Sequence, residues 1–218
     1  MPSEGEYLRL LQRPDLPAAV LEELLGDREV RRHHTVRRAL AAHPRTPRQA
    51  ALSLVSTLYW RDLARLSADV RVHPEVRRAA DRDLSRRVTE MALSEKMDLA
   101  RLSGRGTLLA LRFDPDARVV LAVMDNRFTT EPDLVTVAAR GQTPAGVLEA
   151  IAAHPRWGSR PALRSALLQN PRLPAEVALS LLSRANASDL AGLLASPRVS
   201  PLIKACAERV LAQRSRPH

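Results

Sequence analysis

Pro17-Ala18-Ala19-Val20-Leu21-Glu22 returns 127 positions later as Pro144-Ala145-Gly146-Val147-Leu148-Glu149. The same shift lays Ala51-Leu52-Ser53-Leu54 on Ala178-Leu179-Ser180-Leu181, and Asp62-Leu63-Ala64 on Asp189-Leu190-Ala191. Residues 4–84 and 131–211 align throughout without a gap, with 29 identities in 81 positions. An internal repeat decides architecture before any single residue is read, because each copy must fold in the same way.

A shorter period runs inside each copy. Arg13-Pro14-Asp15-Leu16-Pro17 is followed after 30 residues by His43-Pro44-Arg45-Thr46-Pro47. Arg140-Gly141-Gln142-Thr143-Pro144 is followed, at the same interval, by Asn170-Pro171-Arg172-Leu173-Pro174. The first Pro or Gly ends one helix, because proline disfavours helical geometry in the residue before it. The second is expected at the first position of the next helix, where a missing N–H costs nothing. On this reading Thr46 and Thr143 are N-caps, Thr46 with Gln49 has capping-box spacing, and Glu176 meets the positive end of its helix. Leu21, Leu52, Leu148 and Leu179 are expected to be buried.

A second set of helix starts appears at Thr35-Val36-Arg37, Pro74-Glu75-Val76-Arg77, Pro115-Asp116-Ala117-Arg118, Pro161-Ala162-Leu163-Arg164 and Pro201-Leu202-Ile203-Lys204. Residues 85–130 use the same alphabet in shortened form. Val119 to Met124 is the one β-looking run, and it continues a Pro-Asp helix start, so it reads as buried helix. The sum is an all-α chain, about five to six helical hairpins joined by Pro-rich turns. It is expected to form a single α-solenoid over residues 1–218, with pseudo-repeats 4–84 and 131–211 and linking repeats 85–130. Aromatics at 3% suit packed Ala- and Leu-rich helices better than a sandwich or barrel.

The pattern of Val-Arg-Arg-Ala, then His-Pro or Asn-Pro, then Thr-Pro, then a leucine-spaced helix resembles the leucine-rich-repeat-variant family of bacterial α-solenoids. More loosely it is similar to the HEAT-like superfamily. The resemblance implies a curved superhelix that binds a partner on its concave face. The family's iron–sulfur module does not carry over, because Cys206 is the lone cysteine.

No apolar run reaches membrane-spanning length, and the N-terminus carries Glu4 and Glu6 without an apolar core of a signal peptide. With one thiol, a cytoplasmic location is expected. The net charge is +10, and of 34 basic residues only Lys96 and Lys204 are lysines. Such a balance favours anionic partners, while a plain arginine bias explains it equally well.

Chemistry-bearing constellations are few. His43, His73 and His154 all precede proline, and their counterparts in the other copy are Asn170, Ser200 and Asp27. Those residue types share only the ability to hold turns and caps, so a turn role is expected in place of catalysis or metal binding. The basic positions Arg37, Arg77, Arg118, Arg164 and Lys204 form a ladder that either tracks phosphates or pairs with Asp62, Asp98 and Asp189; the second is favoured. Ser103-Gly104-Arg105-Gly106-Thr107 lacks the preceding strand and the lysine of a phosphate loop, and reads as a connection between hairpins. Trp60 and Asp62, two residues apart, are expected to face apart on a helix. No catalytic, cofactor-binding or metal-binding set is expected, and the chain is read as a non-enzyme.

The alignment loses all identity over 23–35 against 150–162, and again over 57–61 against 184–188. These gaps hold the most distinctive residues: Arg28, Arg31, Arg32, His33 and His34, running on into Arg37 and Arg38, and then Tyr59, Trp60 and Arg61. They are the candidate contacts for an anionic partner. The leading expectation is a non-catalytic scaffold for a protein or peptide. The alternative is a nucleic-acid binder that grips the DNA or RNA backbone and reads no bases, since aromatics are scarce.

Overall fold

The computed structural model describes residues 3–197 and 199–214, and all regular structure among them is helical. The chain falls into two compact units, Met1–Ala110 and Leu111–His218. In the first, α1 is Glu4–Leu11, α2 Ala18–Gly26, α3 Arg28–Arg32, α4 His34–Ala42, α5 Arg48–Val55, α6 Trp60–Ala68, α7 Pro74–Arg87 and α8 Leu93–Leu102. Helix α9, Arg105–Leu111, ends at the border. The second holds α10 Ala117–Asp125, α11 Glu131–Ala139, α12 Ala145–Ala153, α13 Pro161–Leu168, α14 Ala175–Arg184, α15 Ala187–Ala195 and α16 Pro201–Arg214.

Adding 127 to the bounds of α2, α6 and α7 gives the bounds of α12, α15 and α16, residue for residue; α1, α4 and α5 match α11, α13 and α14 within two residues at their C-terminal ends. The packing pairs correspond too. Helix α1 packs on α4, α4 on α5, α5 on α7 and α6 on α7; in the second unit α11 packs on α13, α13 on α14, α14 on α16 and α15 on α16. Among the helices of segment 4–84, α3 is the one without a helical counterpart.

Pro17, Pro47, Pro144 and Pro174 do set the helix starts, but as N-caps, one position earlier than expected. Each keeps an extended ψ between 128° and 145°. Their carbonyls accept from Leu21, Ala51, Leu148 and Ala178 at 3.0–3.3 Å, so an N-cap role that needs only a carbonyl suits a residue with no N–H. The threonines before them are not caps. Thr46 Oγ1 donates back to the Leu40 carbonyl at 2.7 Å, and Thr143 Oγ1 to the Val137 carbonyl at 2.6 Å. They close the end of the preceding helix, and Gln49 forms no capping box. Glu176 does lie in the first turn of α14.

Leu21 and Leu148 are fully buried. Leu52 is only half-buried, and Leu179 is 51% exposed, against expectation. On α5 and α14 the inward stripe is Ala51, Leu54 and Val55, and Ala178, Leu181 and Leu182, so the leucine between them is turned aside. The Val119–Met124 run is helical and buried, as read. Residues 103–107 are only partly a loop, because α9 starts at Arg105. Gly104 lets that start sit against α6: a Cβ there would stand 2.4 Å from the Ser67 carbonyl oxygen. Cys206, which stands where the first segment has Ala79, is half-buried against the core of its unit.

Candidate functional site

The histidines resolve into turns. His43 Nδ1 accepts from the Arg45 N–H at 3.2 Å, and its Nε2 lies 2.9 Å from the Arg13 carbonyl. In the other copy Asn170 Oδ1 accepts from the Arg172 N–H at 2.9 Å, and its Nδ2 donates to the Arg140 carbonyl at 3.0 Å. His154 and Asp27 match in the same way, holding the N–H groups of Arg156 and Glu29 at 3.2 and 2.8 Å. His73 Nδ1 accepts from the Glu75 N–H. A further instance lacks the proline signature: Asn126 Oδ1 accepts from the Phe128 N–H, and Thr129 Oγ1 donates to the Val123 carbonyl as Thr46 does to that of Leu40. The signal, an Asn three residues before a Thr, was masked by the missing proline.

The basic ladder pairs as expected at one rung, Arg164 with Asp189. Asp62 is taken by His34 and by Arg38 at 3.3 Å, Asp98 by Arg61 and Arg101, and Arg118 by Asp116 at 2.8 Å within its own cap. The Nε atoms of Arg37 and Arg77 are buried without an acceptor.

The candidate contacts divide among three surfaces of the first unit. Arg28, Arg31, Arg32 and Arg37 line one open groove of about 530 Å³ with Ser53 and Leu54 of α5 and Thr57 just beyond it, and no acid contributes to its wall. Tyr59, Trp60 and Arg61 line another with Asp62, Arg65 and Glu95. Trp60 and Asp62 both border this groove, while the Asp62 carboxylate is buried and held by His34 and Arg38. Arg38 faces a third, beside His43 and Asp69. His33 instead lies 3.5 Å from Glu4, and the His34 ring packs on Tyr59 with centroids 4.1 Å apart. His34 thus joins the two clusters: Arg37 reaches its Nδ1 at 3.4 Å while Asp62 holds Nε2. Arg61 lies over the Trp60 ring at 5.0 Å, which occupies a face that base stacking would need.

Within the basic groove the arginines differ in their commitments. Arg32 pairs with Glu29 at 2.7 Å. The side chains of Arg28 and Arg31 are exposed and make no ion pair or hydrogen bond with the described residues. The second unit shows what this stretch does without them. Pro155, Trp157, Gly158 and Ser159 stand at the positions of Arg28, Val30, Arg31 and Arg32. Trp157, like Val30, plugs the core, and its Nε1 donates to the Met124 carbonyl at 3.0 Å. Gly158 turns so tightly that a Cβ would come 2.2 Å from the Ala152 carbonyl oxygen. The frame therefore closes without a single arginine on these positions.

No helix is long and apolar enough to cross a membrane, and among the described residues no three His, Cys, Asp or Glu side chains gather as metal ligands. The chain matches no family model, no curated protein and no solved structure.

Proposed function

We propose that the protein is a non-catalytic α-solenoid scaffold carrying an internal duplication, akin to leucine-rich-repeat-variant and HEAT-like proteins, and that it binds a protein partner in the cytoplasm. The coincident helix bounds and packing pairs support the duplication. One observation carries the binding role: the side chains of Arg28 and Arg31 are exposed and unpaired in one copy, while the other copy closes the matching stretch as a turn, with Pro155 and Gly158 in their place. Residues that the frame does not need are free to serve a partner. The side chains nearest to acid–base chemistry, His34 and Asp62, are engaged with each other and with Arg38, which supports a structural role for them.

A second reading, nucleic-acid binding through the backbone, draws on the same acid-free groove. Affinity purification of the full chain from nuclease-treated extract, beside an Arg28→Glu/Arg31→Glu variant, separates the two. A stoichiometric protein that survives nuclease and is lost with the variant is the expected result. Association that disappears with nuclease treatment overturns the protein reading.

A further inference from the structure

Gln49 and Ser53 of helix α5, and its C-cap Ser56, are exposed to solvent, and two grooves border this helix. On one side lie Arg28, Arg31 and Arg37. On the other a groove of about 700 Å³ runs along α7, floored by Leu52, Val55 and Ala79 and edged by Arg78, Arg82 and Arg86. The acids of this second groove are already in use. Asp81 Oδ1 accepts from both the N–H and the hydroxyl of Thr107, at 3.0 and 2.6 Å, and Asp83 pairs with Arg86 and Arg87. Arg78 and Arg82, like Arg28 and Arg31, are exposed and touch no acid among the described residues. In the second unit three of these four positions are Pro155, Gly158 and Ala205, and only Arg209 persists.

We infer that this face of the first unit binds an acidic, amphipathic segment of a partner protein, laid across α5. Its apolar side chains sit on Leu52, Val55 and Ala79, and its carboxylates reach Arg78 and Arg82 on one side and Arg28, Arg31 and Arg37 on the other. The inference rests on the protein-scaffold reading and names the chemistry of its partner. Charge complementarity selects an anionic occupant. The apolar floor selects a protein over a phosphate backbone, because phosphates gain nothing from Leu52 and Val55, whereas an amphipathic segment anchors there. Arg37 lines the same groove as Arg28 and Arg31, with its Nε buried and a terminal nitrogen 3.4 Å from His34 Nδ1. Neither groove contains an aromatic residue for base stacking; Tyr59 and Trp60 lie in the third groove, beside Asp62 and Glu95.

Selection of a random peptide-display library on the full chain tests this and needs no candidate partner. Enriched peptides should combine several Asp or Glu residues with apolar ones. Binding of an enriched peptide should weaken by about tenfold or more in Arg28→Glu/Arg31→Glu and in Arg78→Glu/Arg82→Glu. It should change by less than about twofold in Arg209→Glu. The neutral pair Arg28→Gln/Arg31→Gln and thermal unfolding of every variant guard against misfolding. Enriched peptides without acidic bias, or insensitive to both reversals, overturn the inference while leaving a protein scaffold in place. No enriched peptide, with a short DNA duplex bound in an Arg28- and Arg31-dependent way, overturns both.

Discussion

At the scale of single residues, the same backbone hydrogen bonds are made by different side chains in the two copies. His43 and Asn170 each hold one N–H two residues ahead and one carbonyl from the turn of the preceding hairpin, Arg13 or Arg140. A histidine there is an asparagine with longer reach, which predicts interchangeability: His43→Asn and Asn170→His should each cost less than about 1 kcal/mol. The corresponding alanine variants leave buried groups unpaired and should cost about 1–3 kcal/mol each, read by chemical denaturation. Asp69 is a different case, a carboxylate with a charged partner. Arg71 donates to it from Nε and a terminal nitrogen at 3.0 and 2.7 Å and, with its N–H, holds the Asp69 carboxyl below its ordinary range. The folded value being lowered, the contribution is present above the unfolded value of about 3.9 and is lost as pH falls through the folded value below it. Arg71→Ala should therefore lower stability slightly near neutrality, Arg71 being exposed, and by nothing measurable at the acid end. An equal loss at both ends contradicts the assignment.

At the scale of helices, proline punctuation made the starts of α2, α5, α12 and α14 legible in the sequence, and the 127-residue shift made their partners legible too. Three things were not legible, each for a physical reason. Thr46 and Thr143 carry a cap's side chain, but the hydroxyl finds a nearer acceptor in the helix that has just ended. Leu52 and Leu179 share the leucine spacing, yet one small rotation of α5 and α14 puts Ala51 and Ala178 inward instead. The ten candidate contacts form two clusters along the chain, whereas groove walls are assembled from α3, α4, α5 and α7, so adjacency in sequence does not reveal Ser53, Arg78 and Arg82. The stability consequences follow from burial. Leu148→Ala should cost about 2–5 kcal/mol. Leu179→Lys, at a half-exposed position with the same sequence signature, should stay within about 0.5 kcal/mol. Gly158→Arg would install the first copy's residue in the second; with the Ala152 carbonyl 2.2 Å from the new Cβ, it should destabilise by about 2 kcal/mol or more. Thermal and denaturant midpoints of the three variants check the order.

At the scale of the whole molecule, segments 4–84 and 131–211 share helix bounds and packing pairs, and the first carries a charged face that the second lacks. Arg28, Arg31, Arg78 and Arg82 have no acid of their own to answer, while at the equivalent places the second unit offers Pro155, Gly158, Ala205 and Arg209. The second copy is thus an internal control for the first, and a binding experiment on the intact chain reads both at once. The most direct test is hydrogen–deuterium exchange of the full chain, free and saturated with a peptide enriched by selection. Protection is predicted in residues 28–57 and 74–87, with no change in the matching residues 155–184 and 201–214. Equal protection of both copies, or protection confined to the second, would contradict the claim that the arginine-lined face of the first unit holds the partner.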